Sequence, residues 1–124
     1  MLITTDEHIE FQKIRRKFNQ ESLELMETID VIIGPTEPIT AFNPEMTKIK
    51  LGSYDVDPRI AVSVYTRIFN LNGFPAITIP CGFSRNKLPI GLQLAGKPYN
   101  DATILQVAYA YQEANDWHHR HPLI

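Results

Sequence analysis

Residues 69–96 read FNLNGFPAITIPCGFSRNKLPIGLQLAG, and the order of stops and apolar runs in them decides the fold. Asn72-Gly73 ends a helical stretch, because Gly adopts the left-handed conformation that closes helices. Pro75 bars re-entry into helix, so Ala76-Ile77-Thr78-Ile79 reads as a short buried strand. A polar turn over Ser84 to Lys87 leads to Pro89 and a second run, Ile90-Gly91-Leu92-Gln93-Leu94-Ala95. Residues 90, 92 and 94 of that run point opposite to Gly91 and Gln93. Two such runs joined by a short polar loop predict an antiparallel hairpin.

Upstream of the hairpin, Asp57-Pro58 is an N-cap and first-turn pair. Ile60, Ala61, Val64, Tyr65, Ile68 and Phe69 follow as a broad apolar face of a helix ending near Asn70. Residues 36–55 carry Pro38, Pro44 and Gly52 with little periodicity and read as a loop. A connector that long either lines or covers a site, or runs as a mobile surface loop. Asp30-Val31-Ile32-Ile33-Gly34 is a short apolar strand stopped by Pro35 and Pro38. At the start of the chain, Thr4 and Glu7 have capping-box spacing. Phe11, Ile14, Phe18, Leu25 and Ile29 then recur at helical spacing through about residue 28. Downstream, Asn100 caps a helix with Ile104, Leu105, Ala108 and Tyr111 on its apolar face, and Trp117 lies beyond its end.

The order α, β, loop, α, β, β, α predicts an α/β fold: a single domain over 1–124, with helices packed on a small mixed sheet. Three strands leave an edge unpaired, and DVIIG and AITIP are apolar on both faces. The expectation is a unit that pairs with further strands of another domain or chain, as a homo-oligomer or with a companion segment.

Composition narrows the function classes. With 124 residues, 44% hydrophobic and 21% charged, the chain suits one globular unit. A net charge of −2 gives no basic field for direct nucleic-acid binding. Lys13, Arg15, Arg16 and Lys17 are interleaved with acids, the pattern of a solvated helix face. No apolar run reaches membrane-spanning length, Met1 to Glu10 lacks a signal-peptide pattern, and one Cys fits a reducing cytoplasm.

Several spaced blocks carry a family resemblance. They are Asp30-Val31-Ile32-Ile33-Gly34-Pro35-Thr36, PAITIPCGF, PIGLQLAGKPYNDATIL and Trp117-His118-His119-Arg120-His121-Pro122. In this order they resemble the C-terminal end of amidase-signature enzymes, which include amide hydrolases and the glutaminase subunit of the glutamyl/aspartyl-tRNA amidotransferase. The resemblance implies a small-molecule amide substrate, no cofactor, and a Ser-Ser-Lys machinery located upstream of the matched region. The serines here are 22, 53, 63 and 84, none in a Gly/Ser-rich turn, so no residue is assigned a catalytic role. The chain is expected to hydrolyse amides only together with that missing N-terminal region. The resemblance places Thr36, Asn70 and Cys81 on the wall of the acyl pocket.

Which branch of the family is meant turns on one position. The amidotransferase subunit carries an acid on the helix before its Asn-Leu-x-Gly block, and here that position is Ser63. With Tyr65-Thr66-Arg67, this favours a general amidase. The alternative is the amidotransferase glutaminase, and a non-catalytic, partner-binding remnant is a third reading.

Rival chemistries are weaker. Cys81 sits at a strand end, away from any helix N-terminus or adjacent cation that would activate a thiol. His118, His119 and His121 lack further ligands nearby except Asp116, so no metal site is assigned. Gly82, Gly91 and Gly96 do not have phosphate-loop spacing and read as turn and close-packing positions.

Overall fold

The structure is a computed structural model that describes residues 2–121. Pro122 of the C-terminal block lies outside the described residues. Helix α1 (Thr5–Met26) begins with the expected capping box: Thr4 Oγ1 accepts from the Glu7 backbone N–H at 3.3 Å, and Glu7 Oε2 accepts from the Thr4 N–H at 2.8 Å.

Strand β1 (Val31–Pro35) follows after a short turn and pairs antiparallel with β5 (Pro89–Gly96), Ile33 standing opposite Leu94. Strand β4 (Ala76–Phe83) pairs with the other side of β5, Ile79 opposite Leu92, so the hairpin is formed as expected. The sheet order is β1-β5-β4. Both pairings are antiparallel, which corrects the mixed sheet expected from the alternation of helices and strands. The reason is topological: β1 is separated from the hairpin by a long excursion and returns beside β5, not as a crossover neighbour of β4.

The hairpin turn is built by Ser84. Its N–H donates to Leu88 O at 2.8 Å, its hydroxyl accepts from Leu88 N–H at 3.1 Å, and its carbonyl accepts from Lys87 N–H at 2.9 Å. Lys87 closes the loop in the left-handed region, at φ 61°.

One sheet face packs on α4 (Asp101–Ala114). Ile79, Leu94 and Ala108 form the core there, with Val31, Ile77, Leu92, Val107 and Tyr111 against them. Gly96 allows that approach, since a Cβ on it would meet Ile104 Cγ2 at 2.7 Å. Asn100 stands at the helix start as expected, but its side chain accepts from the Thr103 hydroxyl at 2.7 Å and caps no backbone N–H. Past the helix, Trp117 packs on Phe83 of β4 with ring centroids 6.1 Å apart, and the Arg120 guanidinium lies 4.5 Å from the Trp117 ring centroid.

Two elements differ from the sequence reading. The helix expected from Asp57 to Asn70 is two: α2 (Pro58–Ala61) and α3 (Thr66–Asn72), separated by turns. The Ser63 hydroxyl donates to Ile60 O at 3.2 Å and the Thr66 hydroxyl to Ser63 O at 3.3 Å, side-chain bonds that compete with continuous helix. Asp57 does cap α2 through Arg59 N–H at 2.9 Å, and Gly73, at φ 74°, ends α3 with its N–H on Phe69 O. The second difference lies in the expected loop. Strands β2 (Ile49–Leu51) and β3 (Tyr54–Val56) form a small hairpin around Gly52-Ser53, with Lys50 Nζ 3.4 Å from Asp55 Oδ1 across the pair.

Candidate functional site

The other sheet face carries the sites of interest. In register across it stand Gly34, Gln93 and Thr78, and beside them Thr36, Gly91 and Pro80, because alternate residues of a strand share a face. Its inner part is covered: Tyr65, Ile68 and Phe69 flank a small apolar cleft of about 140 Å3 over Ile32, Gly34 and the buried Gln93. Its outer part is open. There a cavity of about 570 Å3 is lined by residues 36–41 on one side, by Thr78, Ile79 and Pro80 below, and by Pro89, Ile90 and Gly91.

Thr36 sits at the floor of this cavity. Its N–H donates to Gly91 O at 3.0 Å, extending the β1–β5 ladder by one residue, and its hydroxyl lies 3.2 Å from that of Thr78 across Gly91. Gly91 has no side chain to obstruct them. A pair of hydroxyls with one bond between them keeps one O–H donor and free lone pairs. The floor therefore offers a donor and an acceptor side by side within walls of Pro38, Ile39, Ala41, Pro80 and Ile90. That combination suits a small polar group carried on an apolar one.

Cys81 adjoins the cavity without lining it. Pro80 opposes Gly91 and Gly82 opposes Ile90, so Cys81 is the extra residue of a β-bulge. Its thiol donates to Ile90 O at 3.5 Å, and burial pushes the thiol above the usual cysteine range. A thiol held protonated and spent on a carbonyl is a poor nucleophile. Asn70 is exposed on α3 and lines none of the cavities described, so the structure brings Thr36 and Cys81 to one end of the sheet and leaves Asn70 apart from them. Sequence reasoning missed Thr78 as the partner of Thr36; the signal was a Thr between Ile77 and Ile79, on the strand face opposite to theirs.

At the C-terminal end, the His118 and His119 rings lie 3.9 Å apart beside Asp116 and Glu113. Among the described residues no three His, Cys, Asp or Glu side chains converge on a point that would hold a metal ion. Ser63, where the amidotransferase resemblance calls for an acid, closes the turn between α2 and α3.

The fold is thus a three-stranded antiparallel sheet with α4 on one face and an open, hydroxyl-floored cavity on the other. The sequence profile of the amidase family matches residues 3–105, and the chain belongs to that family. It is 44% identical over 117 residues to a glutamyl-tRNA(Gln) amidotransferase subunit of Thiobacillus denitrificans, covering 93% of this chain and 23% of that protein. Among solved structures, the glutamyl-tRNA(Gln) amidotransferase subunit of the same type from Thermotoga maritima superposes with a TM-score of 0.64 at 37% identity, over 82% of this chain and 21% of that one. A chain of a vestigial protein complex tied to the origins of an s-triazine catabolic enzyme shares the fold, at a TM-score of 0.87 and 23% identity, over 92% of this chain and 25% of that one. The chain thus spans about a quarter of the length of its relatives. Among the described residues no helix is long and apolar enough to cross a membrane.

Proposed function

We propose that this chain forms one wall of the substrate pocket of a cytoplasmic amide hydrolase, with the attacking hydroxyl and its lysine base supplied by further amidase polypeptide. It corresponds in this reading to the C-terminal portion of the family's fold, a single domain without the Ser-Ser-Lys segment. The substrate is a small molecule with an amide and an apolar group; nucleic acid is not contacted directly, and the working form is an assembly with a companion amidase segment or with further copies. The observation that carries the reading is the Thr36–Thr78 hydroxyl pair at the floor of the 570 Å3 cavity. Thr36 and Cys81 stand at the pocket end of the sheet, and Asn70 contributes from α3 once the remaining wall is present.

The test is a hydrolysis assay on a panel of amides. The purified chain alone should be inactive. Activity should emerge on mixing with the part of the Thiobacillus denitrificans protein that lies outside the matched segment. Turnover by the chain alone would refute the placement of catalysis elsewhere.

A second reading, a glutaminase unit of a tRNA amidotransferase, is favoured by the 44% identity to that bacterial relative. Ser63 in place of an acid argues for the general amidase, and glutamine against aliphatic amides in the same assay separates the two.

A further inference from the structure

Gly34 and Gln93 stand opposite each other in β1 and β5 and form the base of the small cleft beneath α3. Gln93 is 7% exposed, yet its carboxamide makes no hydrogen bond to any other described residue. Its cross-strand neighbour Thr78 turns its hydroxyl to Thr36 instead. A buried amide without a partner has given up water and gained nothing in exchange, so each such group calls for an explanation. Gly34 borders the same space. A Cβ on it would meet nothing within 4 Å, and its φ is not in the left-handed region, so neither crowding nor backbone conformation demands glycine there. Glycine inside a strand with room above it marks the close approach of another group.

The walls define the chemistry of that group. Ile32 lies on the sheet side and Tyr65, Ile68 and Phe69 on the helix side, and no charged side chain lines the cleft. An ion would shed its hydration there against uncharged walls, which selects a neutral ligand. The one polar fitting is the Gln93 carboxamide, an N–H donor and a C=O acceptor side by side. Both are met at once by an amide whose own N–H and C=O lie on one side, as in a primary carboxamide or a ring lactam. The cleft holds about 140 Å3. A cavity of roughly 150 Å3 lined by apolar side chains takes one benzene, so the ligand is about one six-membered ring in size.

We infer that this cleft is a binding site for a small neutral molecule presenting N–H and C=O on one side, a lactam ring or a short primary carboxamide. The ligand lies over Gly34, exchanges two hydrogen bonds with the Gln93 carboxamide, and packs against Tyr65 and Phe69. The site is separate from the larger cavity over Thr36 and belongs to this chain alone, so it goes beyond the pocket-wall reading and does not depend on it.

Titration of the isotope-labelled chain with δ-valerolactam and, separately, with propionamide tests this by NMR. Saturable shifts are expected at the Gln93 side-chain NH2 and at the Gly34 and Ile68 amides. Tighter binding of the lactam identifies a ring ligand, and tighter binding of propionamide an open-chain one. Cyclohexanone keeps the ring and the C=O but lacks the N–H, and should bind about tenfold more weakly or worse than the lactam. Gln93→Leu removes the carboxamide at similar volume. Its melting temperature should equal or exceed that of the wild type, because an unpartnered polar group is gone, while lactam binding weakens by about tenfold or more. Gly34→Val fills the cleft from the opposite strand and should abolish binding with Gln93 intact. A wild type without saturable shifts at these positions overturns the site, the cleft then holding water only. Shifts confined to Thr36, Thr78 and Gly91 overturn it in favour of the larger cavity. Unchanged lactam binding by Gln93→Leu overturns it as well. Should Gln93→Leu not fold, Gly34→Val decides: undiminished binding there overturns the site, and loss of binding supports it.

Discussion

The hydroxyls of Thr36 and Thr78 meet at 3.2 Å over the bare backbone of Gly91, although 42 residues separate them in sequence. Strand β5 runs between them, and only a residue without a Cβ lets them reach across it. A Cβ on Gly91 would stand 2.7 Å from Thr36 Oγ1 and 2.9 Å from Thr78 Cγ2. Cavity floor and sheet geometry are thus one constraint.

Gly91→Ala should therefore separate the two threonines and push the segment after β1 outward. Overpacking of this kind costs about 1–3 kcal/mol. Urea unfolding followed by circular dichroism reads the loss. Thr78→Val, which keeps the shape but removes the hydroxyl, should leave stability within about 1 kcal/mol, because the bond is exposed and worth little net. In a complemented enzyme the same Thr78→Val substitution should raise KM for small amides.

On the opposite face, Gly96→Ala should act through Ile104. The Cβ would come within 2.7 Å of Ile104 Cγ2, a side chain that is itself buried. Ile104 can yield only by shifting α4 off β5, so a destabilisation of about 2 kcal/mol is expected. Pairing the substitution with Ile104→Val should recover part of it, and a double-mutant cycle measures how much.

At the N-terminus the capping box gives α1 a pH dependence. Bonds from the Thr4 N–H and hydroxyl hold the Glu7 carboxyl below its ordinary value. A lowered folded value means that the stabilisation is complete above the ordinary carboxylate range and fades as pH falls through the lowered one. Helix content should accordingly decline on acidification below pH ~4 in the wild type, and Glu7→Gln should flatten that decline. Thr4→Ala removes the cap itself and should cost about 1 kcal/mol.

These elements also show what one sequence discloses. The β4–β5 hairpin was legible because Gly73, Pro75 and the Ser84–Lys87 turn are local signals with local causes. The capping box and the strand after Asp30 were legible for the same reason. The break between α2 and α3 was not, since the apolar face of residues 60–69 has helical spacing and the competing bonds of Ser63 and Thr66 decide the outcome. The β2–β3 hairpin was hidden by its brevity, although Gly52-Ser53 between IKL and YDV carried the turn signal. At the cavity, Thr36 was singled out only by the family resemblance of the Gly34-Pro35-Thr36 block, while its pairing with Thr78 depends on strand order, which no local pattern states. Helical spacing correctly grouped Phe11, Ile14 and Leu25 of α1 but implied that this chain would cover them, and they stay exposed. Periodicity tells which residues share a face, not what the face meets.

Cys81 offers the sharpest separation of a wall from a nucleophile. As the bulged residue of β4 it is half-buried, its thiol bonded to Ile90 O, and burial raises its pKa. The raised value means the folded chain holds the thiol proton more tightly than the unfolded chain does. The folded state therefore keeps its full stability below the ordinary cysteine value and loses some of it as pH rises through the raised one. Alkylation by iodoacetamide should have a later pH midpoint in the folded chain than in the same chain in urea, and Cys81→Ser should abolish that part of the alkaline destabilisation. Cys81→Ser should also leave amide hydrolysis by the complemented enzyme within about twofold, whereas a nucleophile of covalent catalysis could not be exchanged without losing several orders of magnitude. A folded-state midpoint at or below that of the unfolded chain would show an activated thiolate and would return Cys81 to the reacting groups.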